Sequence, residues 1–222
     1  YPAKLMHGHI ESLLDKGVDF IFYPCESYNI DEHDSVNHYN CPVVAYYAEL
    51  LKANNERLND DNFVMPYLDP NMRETTVRNL RRALGKYKFP KRRIEEALDE
   101  GFARLEKYHA DVREKGREII SKARAEGKQI IVLAGRPYHA DPEINHGIGK
   151  LLTSLDLAVL SEDSIFEEAP LVKVNVLNQW TYHARLYRAA EYVSRNEDMN
   201  LVQLVSFGCG IDAITTDEMR SI

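Results

Sequence analysis

Lys128-Gln129-Ile130-Ile131-Val132-Leu133-Ala134-Gly135-Arg136 is an apolar run that opens onto a glycine and a cation. Gln129 to Ala134 reads as a strand, and the chain downstream of it repeats the theme. Ile144 to Leu155 reads as a helix, Ala158 to Leu160 as a short strand and Val176 to Asn196 as a helix. Leu201 to Phe207 is then a strand, and Asp212 onward a helix. Short strands alternating with helices indicate βαβ units, a parallel sheet and right-handed crossovers.

Upstream the pattern is similar but more broken. Leu5, Met6, Ile10, Leu13 and Leu14 recur at helical spacing over residues 4–16, and Gly17 ends them. Val18 to Tyr23 is nearly continuous apolar and aromatic, as in a buried parallel strand. The polar loop from Pro24 to Asn40 is long enough to be functional or mobile. Pro42 suits the first turn of a helix running to Asn54, and Phe63 to Leu68 is a second short strand. Between the two regions, residues 72–126 are charged and helix-rich. Leu98, Leu105, Val112 and Ile119 recur every seven residues, with Ile94, Phe102 and Tyr108 beside them, the stripe of a long helix packed along a neighbouring surface. The expected fold is α/β: two Rossmann-like lobes with short parallel sheets, over residues 1–70 and 127–222, joined by a long helical segment over 71–126.

Bulk properties exclude several classes. The 222 residues are 44% hydrophobic and 28% charged, ordinary for a globular protein. A formal charge of −7 argues against nucleic acid or an anionic membrane as partner, since both require a basic footprint. No apolar run approaches the roughly 20 residues of a membrane span, and the start lacks the apolar core of a signal peptide. Three cysteines are too few and too scattered for a secreted disulfide framework, which points to a cytoplasmic chain with reduced thiols. Tyr1 in place of methionine, and a last helix that stops at Ile222, suggest a segment of a longer chain.

Chemistry concentrates where strands give way to loops, the usual ligand edge of an α/β sheet. After Ala134 come Gly135, Arg136, His139 and His146, in a loop stiffened by Pro137 and Pro142. Arg136 can grip a phosphate or carboxylate bidentately; equally, it and the histidines can satisfy loop carbonyls. Neither the Gly-Lys-Ser/Thr of a phosphate loop nor a Gly-x-Gly-x-x-Gly fingerprint is present. Glu162-Asp163 follows the next strand as an N-cap or a ligand contact. His7 and His9, two apart on a helix, cannot share a face. Trp180, Tyr182, His183 and Tyr187 read as core packing on a long helix.

The three cysteines all sit at such turns: Cys25 after Pro24, Cys41 before Pro42, Cys209 between Gly208 and Gly210. Taken singly, each reads as a small buried hydrophobe or as a soft-metal ligand. Without a Cys-x-x-Cys pair, spacing alone is weak evidence for zinc or a ferredoxin-type cluster. Gly208 and Gly210 nevertheless leave room for a bulky inorganic group and expose amides to it.

Phe22-Tyr23-Pro24-Cys25, Asn37-His38-Tyr39-Asn40-Cys41-Pro42-Val43, Gly135-Arg136-Pro137-Tyr138-His139 with Asp141 to Gly147, Gln179 to His183, and Ser206 to Gly210 together resemble a known family. They are similar to the dehydratase-like part of large CoA-substrate-specific enzyme activases, relatives of the 2-hydroxyglutaryl-CoA dehydratase system. The resemblance covers essentially the whole chain. It implies a [4Fe-4S] cluster, or a double-cubane cluster, held by Cys25, Cys41 and Cys209. It implies an ATPase (activase) domain, in the same chain or a partner chain, that drives one electron uphill onto the cluster. In the related dehydratases that electron forms a ketyl radical on a 2-hydroxyacyl-CoA. No catalytic residue is identifiable. The alternatives are a non-redox α/β domain binding a CoA or nucleotide phosphate, and a module that docks an ATPase through residues 72–126.

Overall fold

The computed structural model describes residues 2–206 and 208–222; the expected strand end at Phe207, like Tyr1, lies outside them. The fold is mixed α/β, with short parallel sheets of two and three strands. The chain divides into two compact units. One contains the residues up to Glu32 together with His38–Phe102; the other contains His33–Asn37 and Ala103–Ile222.

In the first unit, helix α1 (Pro2–Asp15) ends at Gly17, whose φ of 66° suits a residue without a Cβ. The two expected strands are both broken by proline. Pro24 separates β1 (Ile21–Phe22) from β2 (Cys25–Glu26), and Pro66 separates β3 (Phe63–Val64) from β4 (Tyr67–Leu68). β1 pairs in parallel with β3, and β2 with β4. Pro66 has no N–H to donate, but its carbonyl still accepts from Cys25 N at 2.9 Å, so the two segments stay in register across the break. The helix expected over 42–54 is likewise two helices, α2 (Pro42–Ala45) and α3 (Tyr47–Asn54), separated at Tyr46, whose φ of −115° leaves the helical region. Ile10, Ile21, Cys25, Tyr47, Leu51 and Phe63 form the core of this unit.

The helical stretch is α4 (Arg73–Ala83) followed by α5 (Lys91–Ala125), a 35-residue helix. It stops at Gly127, φ 67°, with Gly127 N bonded to Arg124 O and Lys128 N to Ala123 O, the paired bonds of a Schellman end. Its expected stripe is only partly buried. Ile94 is buried and Ile119 half-buried, whereas Leu105 and Tyr108 are exposed.

The second unit is built on β5 (Ile130–Ala134), β6 (Ala158–Ser161) and β7 (Met199–Gln203), all parallel, in the order β6-β5-β7. The central strand explains the continuous apolar run: Ile130 and Val132 are fully buried, each worth about 1.5–3 kcal/mol of burial. They pack with Ile120 and Ala123 of α5, Leu160 and Met199. Helix α6 (Ile148–Ser154) joins β5 to β6, α7 (Thr181–Ser194) lies between β6 and β7, and α8 (Gly210–Ser221) follows β7. Two helices begin later than their patterns suggest. His146 and Gly147 take positive φ, 55° and 71°, and turn the chain before α6. Over residues 171–177, which are non-helical and bend at Asn175 and Val176, Val172, Val174 and Val176 pack inward and Leu171 and Leu177 outward, and α7 starts at Thr181. The tip of the long polar loop belongs here too: Asp34 Oδ1 accepts from Arg188 Nη1 at 2.7 Å, and Val36 N donates to Asn178 O at 2.9 Å. Among the described residues no helix is long and apolar enough to cross a membrane.

Candidate functional site

The carboxyl ends of β5 and β7 carry the densest chemistry of the second unit. Gly135 leaves β5 where a Cβ would stand 2.5 Å from His139 Nδ1, so only glycine lets the loop fold back. His139 Nδ1 then accepts from Arg136 N at 3.0 Å, and His139 N donates to Arg136 O at 2.8 Å, closing a 3-10 turn over Pro137–Ala140. His139 therefore satisfies its own loop, and burial lowers its pKa, favouring the neutral ring. Asn145 ties the loop's far side by donating to His139 O at 2.9 Å. His146 is exposed and lies outside this arrangement.

Arg136 points inward. Its Nη2 contacts Asp212 Oδ1, His183 Nε2 at 2.8 Å and Cys209 Sγ at 3.5 Å. Arg136, Asp212 and His183 are respectively 8%, 3% and 4% exposed, so this is a buried ionic cluster. Two N–H bonds on Nη2 face three acceptors, and the sulfur contact is the longest. Asp212 is held from its other oxygen as well, Oδ2 accepting from Ser206 N at 2.8 Å. Ser206 Oγ in turn meets Tyr138 OH. Burial alone would raise the Asp212 pKa; the nearby His183 ring, the hydrogen bond from the Ser206 amide and the ion pair with Arg136 more than reverse that and hold it well below the ordinary carboxylate range. Burial would likewise lower the Arg136 pKa, but its bond to Asp212 raises it. The His183 pKa is lowered, first by burial and then by Arg136. Since a guanidinium has only donors, Nε2 accepts and the proton sits on Nδ1, which finds no partner among the described residues.

The cysteines have three different settings. Cys209 is half-buried at the N-terminus of α8, after Gly208 (φ 80°), with exposed glycines on both sides. Cys41, also half-buried, immediately precedes Pro42 of α2, and its carbonyl accepts from Ala45 N at 2.8 Å. Cys25 is 0% exposed inside the core of the first unit. Burial raises its thiol pKa, the Glu49 charge adds to this, and bonds from the Glu49 amide and Tyr67 partly offset it. Among the described residues no group of three or more His, Cys, Asp or Glu side chains is placed to hold a metal ion.

Beside the Arg136 cluster a cavity of about 610 Å³ opens at the carboxyl ends of β5 and β6. Gly135, Arg136 and His139 line it, together with Lys150 of α6, Glu162, Asp163 and Arg185 of α7. Glu162, rather than capping a helix, starts a short 3-10 turn and is 8% exposed. Burial and then the adjacent Asp163 push its pKa up to about 8, against its own amide, Arg185 and the Gly135 amide. Sequence reasoning missed His183 and Asp212. His183 sits in an amphipathic helix where packing is the default, and an acid in a first helical turn is unremarkable. Their signal exists only in three dimensions.

No curated protein and no solved structure matches the chain. The family model of the CoA enzyme activase uncharacterised domain (DUF2229) matches residues 1–165, which include Cys25, Cys41, Arg136 and Glu162 and stop short of His183, Cys209 and Asp212. With 165 of its 222 residues inside that match, the chain belongs to the CoA enzyme activase uncharacterised domain family.

Proposed function

We propose that the chain is an iron–sulfur redox domain of an ATP-dependent electron-transfer system acting on CoA esters, in the reducing cytoplasm. The observation that carries this reading is the setting of Cys209, a thiol at a helix N-terminus between two exposed glycines with a buried arginine 3.5 Å from its sulfur. A helix N-terminus and a guanidinium both turn positive charge towards the sulfur, as a bound sulfide-rich cluster would require. Cys41 shares the helix-start position. Cys25 is the demanding member, because burial disfavours its thiolate and the metal itself must supply the compensating charge.

Cys25, Cys41 and Cys209 would be the thiolate ligands of a [4Fe-4S] or double-cubane cluster. When bound, such a group supplies one-electron transfer at low potential. The chain's own residues supply the surroundings. Asp212 and Ser206 fix Arg136, Arg136 orients Cys209 by a charge-assisted contact, and Gly208 and Gly210 keep bulk and backbone crowding away from the sulfur. An ATPase (activase) domain, of this chain or of a partner chain, would drive the electron, and an acyl-CoA would receive it.

The test is anaerobic reconstitution with iron and sulfide, read by visible absorbance, iron content and EPR after reduction. Wild-type protein should gain a cluster signal, and Cys25→Ala, Cys41→Ala and Cys209→Ala should each lose most of it. Full iron content in all three variants would refute the ligand set. A second reading, a phosphate of CoA or of a nucleotide bound by Gly135, Arg136 and helix N-termini, draws support from the cavity that Gly135 and Arg136 line. Its weakness is that Arg136 is already engaged by Asp212, His183 and Cys209. Phosphate-ligand binding that survives all three cysteine replacements and vanishes in Arg136→Ala would favour it.

A further inference from the structure

We infer that the cavity at the carboxyl ends of β5 and β6 binds a small apolar monocarboxylate, with Glu162 donating a hydrogen bond to its carboxylate and Lys150 supplying charge. This goes beyond the redox reading and does not depend on it. The walls are mostly apolar, formed by Val112, Leu133, Val159 and Leu204, and the volume of about 610 Å³ falls within the range of ordinary ligand clefts. Charged side chains, among them Lys150, Glu162 and Asp163, line the same cavity beside that apolar wall.

Charge decides the ligand class. Arg136 lines the cavity but is neutralised by Asp212, and burial favours the neutral ring of His139. Lys150 lines the cavity and makes no ion pair among the described residues. Arg185 is held at the wall, its guanidinium 4.9 Å from the Phe166 ring centroid and 5.1 Å from that of Tyr182. Asp163 is turned to Ser161, whose hydroxyl donates to it. A protonated Glu162 carboxyl carries one O–H donor. The groups facing Glu162 are thus Asp163 on its own turn, Arg185 on α7 and the Gly135 amide after β5, with Arg136, His139, Lys150 and Tyr108 around the same cavity. Burial keeps Glu162 protonated at neutral pH, so it offers a proton to an acceptor instead of repelling an anion. One donor and the ammonium of Lys150 suit a monoanion; a phosphate dianion would find too little charge.

The test is titration calorimetry of the intact chain with hexanoate, using hexanamide, inorganic phosphate and the N-acetylcysteamine thioester of hexanoate as comparison probes. Wild-type protein should bind hexanoate more tightly than any of these. Its affinity should fall about tenfold between about pH 6.5 and about pH 9, as Glu162 ionises. Glu162→Gln keeps a donor at every pH and should bind equally at both. Lys150→Ala, at an exposed position, should weaken hexanoate several-fold without weakening hexanamide. If Glu162→Gln does not fold, the wild-type pH profile and the Lys150 variant decide between them. Absence of hexanoate binding, or the same pH dependence in wild type and Glu162→Gln, overturns the inference. Equal or tighter binding of phosphate or of the thioester overturns the monocarboxylate assignment. None of these readings involves iron, so failure here and failure of the redox proposal are distinguishable.

Discussion

The two edges of the β6-β5-β7 sheet carry the same pair of residues in opposite environments. At the amino edge, Arg124 grips Asp198 with Nε to Oδ2 at 2.7 Å and Nη2 to Oδ1 at 3.1 Å, and Lys128 reaches Asp156 at 2.9 Å. These side chains are open to water, 46% and 32% exposed for the arginine pair. At the carboxyl edge, Arg136 and Asp212 are 8% and 5% exposed by side chain, and they share their contacts with His183 and Cys209. Residue type therefore does not mark the site. What separates a surface clip from a candidate site is desolvation, which makes each buried charge depend on its partner.

The largest effect should come from breaking the buried pair. Arg136→Ala leaves Asp212 buried without its cation and should cost about 3–5 kcal/mol in urea unfolding. A cost no greater than that of Arg124→Ala would erase the distinction between the two edges.

Two acids at the carboxyl edge should respond to pH in opposite senses. The Asp212 carboxyl is held low, so its contribution is complete above its unfolded pKa of about 3.9 and disappears as pH falls through the lower folded value. Glu162 is raised, so its contribution is complete below its unfolded pKa of about 4.3 and is lost as pH rises towards about 8. Stability measured across pH should therefore decline in that upper window for the wild type and stay flatter in Glu162→Gln. An unchanged slope would mean that Glu162 is not protonated in the folded chain.

The strand at the centre of this edge was legible because Ile130 to Ala134 are apolar without interruption and end at a glycine. The first unit was harder, since Pro24 and Pro66 each split what reads as one strand, and Tyr46 splits what reads as one helix. The helix expected from Val176 begins late because Val172, Val174 and Val176 pack inward at a period of two, which a helix cannot do, before the helical period takes over. Arg136 and the cysteines could be singled out locally, by glycines and prolines beside them. His183 and Asp212 could not: they lie 47 and 76 residues from Arg136, and nothing in their own neighbourhoods signals the pairing. Periodicity reports which way a side chain faces, not which distant charge it meets.

A smaller effect tests how the carboxyl edge is braced. Gly116 of α5 lies against the turn that carries Glu162, where a Cβ would stand 2.8 Å from Ser164 Cβ and 2.9 Å from Ser164 O. Gly116→Ala gains helix propensity of up to about 1 kcal/mol but must push that turn aside, an overpacking cost of about 1–3 kcal/mol. Net destabilisation is expected, together with weaker hexanoate binding. Gly101, with nothing within 4 Å of its Cβ position, supplies the control, and Gly101→Ala should stabilise.

The smallest effect belongs to the amino edge. Arg124→Ala removes a bidentate contact to Asp198 and a bond to Asn196 at 2.8 Å, yet water can replace each of them. The Asp198 pKa is lowered chiefly by its hydrogen bond to Arg124, but an exposed pair is screened and costs side-chain entropy to hold. The expected loss is about 0.2–1 kcal/mol, shrinking further in high salt. Two controls sharpen the comparison: the Arg136→Ala loss should change little with salt, and Arg124→Ala should leave hexanoate binding unchanged. A salt-insensitive loss of several kcal/mol at Arg124 would mean that the amino edge is as desolvated as the carboxyl edge, and that burial does not tell them apart.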